Sequence, residues 1–170
     1  ASLNGTIVGM AQDYVGANNI NLLKPNGQFG TRLLGGKDAA SPRYIFTQLS
    51  AATELIFRPE DAPLYKYLED DGQSIEPAYY MPIIPIILVN GANGIGTGWS
   101  TTVPGYNPDD IIRNIKQMLR GQPPTDMNPW FKDFTGTVNP LEMGKYSIKG
   151  VYNWISATTI HITELPIGTW

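Results

Sequence analysis

Apolar positions recur at helical spacing where the chain begins. Leu3, Ile7, Val8, Ala11, Tyr14 and Val15 share one face, with Ser2 available as an N-cap and Gly16 as a stop, which predicts a helix over about 2–15. The pattern breaks from Asn18. The stretch from Leu22 to Arg32 reads as two short strand-like pieces around Asn26 and Gly27, a hairpin or wing. After Pro42, the run Tyr44-Ile45-Phe46-Thr47-Gln48-Leu49 is rich in aromatic and β-branched side chains and predicts a strand with Tyr44, Phe46 and Gln48 on one face. Ser50 can cap a short helix reaching Phe57, and residues 65–80 alternate around Asp71 and Gly72 as a second hairpin.

The second half opens with Met81 to Val89, an apolar run bounded by prolines and followed by glycines, which predicts a buried strand after a domain junction. A Gly-rich loop from Gly91 to Gly98 leads to Asn107-Pro108, the start of a helix with Ile111, Ile112, Ile115, Met118 and Leu119 as its apolar face. From Phe134 onward the chain alternates, so a sheet is expected to close it.

Composition narrows the chemistry. At 170 residues, 42% apolar and 16% charged, the chain can bury a core and lacks the charge density of a disordered segment. It has no cysteine, which excludes disulfides, thiolate nucleophiles and cysteine-zinc sites. The single His161 excludes paired-histidine metal motifs, and between two isoleucines it reads as a surface or partner-satisfied residue. The longest apolar run is far short of a membrane span and no signal-peptide pattern opens the chain, so a soluble, unsecreted protein is expected.

Net charge is −3, which argues against indiscriminate nucleic-acid binding, but the charge is unevenly placed. Residues 1–48 carry Lys24, Arg32, Lys37 and Arg43 against Asp13 and Asp38, whereas residues 49–80 are strongly acidic. Any anion-facing surface therefore belongs to the first quarter. There Gly27, Gly30, Gly35 and Gly36 suggest backbone amides open to close approach by a phosphate backbone.

The loop from Gly91 to Gly98 lacks the Lys-Ser/Thr of a P-loop and the Gly-x-Gly-x-x-Gly spacing, which argues against a mononucleotide site. Its odd member is Ile95, which can plug the core or stand out as a wedge of the kind that enters base steps and kinks a duplex. Arg43-Tyr44 is a second pair of interest. Such a tyrosine can simply pack, or act as a nucleophile on a phosphodiester if nearby cations such as Arg43, Lys37 and Arg32 offset a phenol pKa of about 10. Glu69-Asp70-Asp71, followed by glycine, reads as a solvated turn rather than a metal site.

Several longer stretches carry a resemblance. Residues 16–23, Pro25-Asn26-Gly27-Gln28-Phe29-Gly30-Thr31-Arg32, Gly35-Gly36-Lys37-Asp38, Arg43-Tyr44-Ile45-Phe46, and Leu88-Val89-Asn90-Gly91 through Gly94-Ile95-Gly96-Thr97-Gly98-Trp99-Ser100 occur in the order found in type IIA DNA topoisomerases. The chain closely resembles the breakage-and-reunion region of the eukaryotic topoisomerase II family, end to end, and its Asn90-Gly91-x-x-Gly94-Ile95 core is also similar to bacterial gyrase, in its DNA-cleaving chain.

The resemblance implies an α+β fold: a winged-helix DNA-cleavage domain of the helix-turn-helix type over 1–80, truncated at its N-terminus, and the beginning of a mixed α/β tower domain over 81–170, truncated at its C-terminus. It implies Tyr44 as the nucleophile forming a 5′-phosphotyrosyl link, Arg43 as stabiliser of phosphate charge, and Ile95 as the intercalating wedge. Further DNA contacts are expected from Gly27, Gln28, Thr31, Arg32 and Lys37, with no metal held by this chain.

The implied parent is nuclear, ATP-dependent and homodimeric, and cleaves duplex DNA, passes a second duplex and reseals the break. Its ATP and Mg2+ are bound by domains absent from this chain, and each tyrosine acts with the Toprim domain of the other subunit. The chain alone is then expected to be inactive, and a non-catalytic DNA-bending module is the alternative. Gly168 stands where many relatives carry arginine, so the resemblance implies no basic contact there.

Overall fold

The computed structural model describes residues 2–170. Helix α1 (Ser2–Ala11) ends four residues before Val15, short of the extent its apolar spacing predicts. The cause is Asn18, whose Nδ2 donates to the carbonyls of Gly9 at 2.7 Å and Gln12 at 2.8 Å and so satisfies the orphan acceptors of the last turn. Gln12 then points away from the helix, its Nε2 donating to the Phe29 carbonyl at 2.9 Å.

Asn26 and Gly27 do not form a local hairpin. Residues 23–26 instead bridge to residues 46–49, through the antiparallel pairs Leu23 with Leu49 and Asn26 with Phe46. The register is held by amides of Lys24 and Asn26 donating to Gln48 and Phe46 carbonyls at 2.9 and 3.2 Å. Tyr44 closes a 3-10 turn, Pro42–Tyr44, and the extended segment begins after it. The alternation expected of a strand is not kept beyond that turn: Ile45 is buried, but Phe46, Thr47, Gln48 and Leu49 are all exposed, because only Ile45 reaches the core. Ala11, Phe29 and Ile45 form a small core, with Val8, Leu23 and Ala40 packed against it.

Helix α2 (Ala51–Ile56) is capped by Ser50, whose Oγ accepts from the Thr53 amide. Strands β1 (Tyr67–Asp70) and β2 (Gln73–Pro77) then pair around Asp71 and Gly72, both at positive φ (48° and 77°), the conformation a two-residue hairpin turn needs.

The apolar run after Met81 is a helix rather than a strand. Pro85 occupies the N-cap of α3 (Ile86–Asn90), and its carbonyl accepts from Leu88 at 2.9 Å and Val89 at 3.3 Å. A short apolar run has no period that separates buried strand from buried helix, and proline suits a helix start. The glycine-rich segment is also ordered differently from a plain loop: β3 (Ala92–Ile95) pairs with β4 (Ser100–Val103). Helix α4 (Pro108–Leu119) starts at the Asn107 cap as expected, with Ile111 buried but Met118 and Leu119 exposed at its end.

Four further strands follow, β5 (Thr137–Glu142), β6 (Lys145–Lys149), β7 (Val151–Ser156) and β8 (Thr159–Glu164). They form two separate two-stranded ladders, β5 with β6 and β7 with β8, instead of one closing sheet. The architecture is thus α+β, with each strand paired to its sequence neighbour. Among the described residues, no helix is long and apolar enough to cross a membrane.

Candidate nucleic-acid interface

Pro42 presets the turn that carries Arg43 and Tyr44, and the Tyr44 amide donates to the Ser41 carbonyl at 2.9 Å. The next residue, Ile45, drops into the core beside Phe29 and Ala11, so the turn is anchored on one side and open on the other. Tyr44 is 67% exposed, and the Arg43 guanidinium carbon lies 4.9 Å from the centroid of its ring. A cation over an exposed phenol ring contributes about 0.5–1 kcal/mol and places positive charge beside the hydroxyl's surroundings. The side chain is presented to solvent, where a phosphodiester can reach it.

The preceding loop is folded on itself. Asp38 accepts from the Thr31 amide at 2.8 Å and the Thr31 hydroxyl at 2.7 Å, and these two bonds hold its carboxyl below the usual range, hydroxyl first. Gln12 reaches under the loop to the Gly36 carbonyl at 3.2 Å. Gly30 and Gly36 touch so closely that a Cβ on Gly30 would stand 2.6 Å from the Gly36 Cα. Lys37 stands exposed on this loop.

The glycine amides are less open than their sequence suggests. Gly35 donates to Arg32, Gly36 to Thr31 and Gly30 to the Gln28 side chain, at 3.2, 2.9 and 3.1 Å. Gly27 is exposed and lies against Ile45, whose Cγ2 would be 2.9 Å from a Cβ added there. Thr31 directs its hydroxyl to Asp38, and Gln28 is exposed with its carbonyl oxygen turned to Gly30.

Arg32 is turned inward. Its Nη1 pairs with Glu164 Oε1, and its Nη2 donates to the Leu165 carbonyl at 2.8 Å. The other carboxylate oxygen of Glu164 accepts from the Thr135 hydroxyl at 2.6 Å. The Trp170 indole completes this corner, edge-on to Tyr14 at 5.7 Å between centroids.

Ile95 ends β3 and is 94% exposed, with Trp99 across the tip at 89%. The core-plug alternative is therefore excluded. His161 is exposed on β8, and Glu69-Asp70-Asp71 forms an exposed hairpin turn. The structure thus brings Arg43 and Tyr44 together with Lys37 nearby in the chain, and sets Ile95 on a separate hairpin. Gln12, Asp38, Thr135 and Glu164 escaped assignment from sequence, because nothing in their local spacing distinguishes a loop clasp from an ordinary surface polar residue.

An exposed Arg-Tyr turn, a loop with Lys37 exposed and an isoleucine-tipped hairpin thus stand on an α+β frame. The chain belongs to the DNA gyrase/topoisomerase IV family of A subunits, whose sequence profile it matches over residues 1–170. Among its relatives are DNA topoisomerase 2 of Arabidopsis thaliana, 56% identical over 99% of this chain and 12% of the relative, and of Drosophila melanogaster, also 56% identical with the same coverage. A crystal structure described as the Plasmodium falciparum topoisomerase II DNA-binding, cleavage and re-ligation domain superposes with a TM-score of 0.95 at 53% identity, covering 99% of this chain and 23% of that one. The chain spans 12% of the length of these two curated relatives.

Proposed function

We propose that this chain is the nucleophile-bearing segment of a type II DNA topoisomerase, in which Tyr44 cleaves one strand of a duplex while the equivalent segment of a second subunit cleaves the other. The observation that carries the reading is the exposed Arg43-Tyr44 turn, anchored through Ile45 and bearing a guanidinium over the phenol ring. In the reaction the phenol oxygen bonds to phosphorus as the P–O3′ bond breaks, and the phenolic proton ends on the released 3′ oxygen. The 5′-phosphotyrosyl link conserves the phosphodiester for resealing. Arg43 offsets charge on the phosphoryl oxygens, Lys37 meets the neighbouring backbone, and Ile95 enters a base step and bends the duplex.

Gly27, Gln28 and Thr31 line the approach, and Arg32 acts by holding the loop on Glu164. Residues 1–80 serve as a winged-helix cleavage domain and 81–170 as the start of a tower. Among the described residues, no group of three or more carboxylate, histidine or cysteine side chains is placed to hold a metal ion. In this reading Mg2+ and ATP act on other regions of the parent, which works in the nucleus as a homodimer with its partner's Toprim domain facing Tyr44.

The test is a covalent-adduct assay with the parent dimer, magnesium and end-labelled duplex. A protein-linked 5′ end that disappears in Tyr44→Phe is expected. An undiminished adduct in Tyr44→Phe overturns the nucleophile. Retained bending without any adduct in the unsubstituted protein favours the alternative, a bending module supported by the exposure of Ile95.

A further inference from the structure

Two asparagines with no part in this chemistry lie where three distant segments meet. Asn19 is buried; its Nδ2 donates to the carbonyls of Val89 at 2.7 Å and Trp130 at 3.0 Å, and its Oδ1 accepts from the Lys132 amide at 2.9 Å. Asn90 makes a two-way bond with the neighbouring residue: its Oδ1 accepts from the Ile20 amide at 2.9 Å and its Nδ2 donates to the Ile20 carbonyl at 2.8 Å. Both ends of each side-chain amide are engaged. The seam is dense, since a Cβ on Gly105 would come within 2.8 Å of both Asn19 Nδ2 and the Val89 carbonyl.

The position of this seam gives it a role. Ile20 leads from α1 into the segment that bridges to Phe46, on the side of the molecule that carries Tyr44. Asn90 ends α3, and β3 begins two residues later. Every residue from Ala92 to Thr102 is exposed, and Gly91 and Val103 at the root are half-buried, so the β3–β4 hairpin is aimed by its root. Four strand residues rise roughly 14 Å, and a tilt of about 10° at the root then moves the tip by about 2 Å, a large part of one base step.

We infer that Asn19 and Asn90 are positioning residues that set the direction in which the β3–β4 hairpin carries Ile95 relative to Arg43-Tyr44. The inference rests on the reading of Ile95 as the DNA wedge. Asn90→Ala removes both bonds to Ile20, and Asn90→Asp keeps the acceptor but sets a carboxylate oxygen against the Ile20 carbonyl. The hairpin itself is untouched by either substitution.

The experiment measures the bent fraction of a duplex with a dye at each end, at saturating parent dimer, together with the dimer's melting temperature. Asn90→Ala, Asn90→Asp and Ile95→Ala are each expected to lower the bent fraction at least threefold. The double variant is expected to bend no less than Ile95→Ala, because Asn90 acts through the wedge. A merely structural role would lower the melting temperature and lose bending additively, which overturns the inference. Normal bending in both Asn90 variants beside impaired bending in Ile95→Ala overturns it while leaving the wedge intact. Normal bending in Ile95→Ala removes the wedge reading and this role with it.

Discussion

Arg32 and Glu164 form an ion pair that fastens the basic loop to the end of β8. Glu164 is nearly enclosed, its side chain 8% exposed against 27% for Arg32, and Thr135 and the Leu165 carbonyl complete the set of partners. Removing one member leaves the other short of a counter-charge in a partly dry corner, so Glu164→Ala is expected to cost about 2–3 kcal/mol. Chemical denaturation checks this.

The same pair makes stability fall in acid. The Thr135 hydroxyl, followed by Arg32, holds the Glu164 carboxyl below its ordinary range against the opposing effect of burial. A depressed carboxyl stabilises the fold above its unfolded value, roughly 4.3, and that contribution disappears as pH falls through the folded value. Between about pH 5 and 3, Glu164→Gln is therefore expected to lose melting temperature less steeply than the unsubstituted chain. Parallel slopes would show that Glu164 does not govern the acid limb.

Lys37 and Arg32 are expected to separate in a DNA-binding titration. Lys37→Ala should reduce the slope of log affinity against log salt by about 0.9, the signature of one phosphate contact. Arg32→Ala should leave that slope nearly unchanged while lowering the melting temperature, because its guanidinium is committed to Glu164 and Leu165.

Adding a methyl group tests how tightly the loop is folded. Gly30→Ala drives a carbon against the Gly36 backbone at 2.6 Å, from a φ of 105°, and should weaken DNA binding and lower stability by well over 1 kcal/mol. Gly72→Ala, with nothing within 4 Å and a φ of 77°, should cost only the left-handed penalty of about 1–2 kcal/mol and leave binding unaffected. Equal binding by the two variants would disconnect the loop from DNA.

Ser50 caps α2 directly after the segment carrying Tyr44, its Oγ 3.4 Å from the Thr53 amide. Ser50→Ala should cost about 1 kcal/mol, read from thermal unfolding. Ile95→Ala should change stability by less than about 0.5 kcal/mol, since the side chain touches solvent rather than core.

Elements governed by local chemistry were legible in the sequence: the Ser50 and Asn107 caps and the Asp71-Gly72 turn all follow from neighbours. Elements decided by distant partners were not. Residues 23–26 pair with 46–49 instead of folding back at Gly27, and α1 stops where Asn18 returns to it. The helix at Ile86 escaped because a short apolar run has no decisive period. Tyr44, Arg43 and Ile95 were singled out through family motifs, whereas the packing around such candidates was hidden: nothing near Arg32 in the sequence announces its pairing with Glu164, 132 residues away.

The Asn19 seam also bears on how the chain folds. Every ladder closes a short loop between sequence neighbours, which is entropically cheap and fast, whereas Asn19 joins Val89 and Trp130 across 70 and 111 residues. Hairpins and helices should therefore form early and the asparagine seam late. Its bonds are expected to contribute chiefly to slowing unfolding, so Asn19→Ala would accelerate unfolding far more than it retards folding.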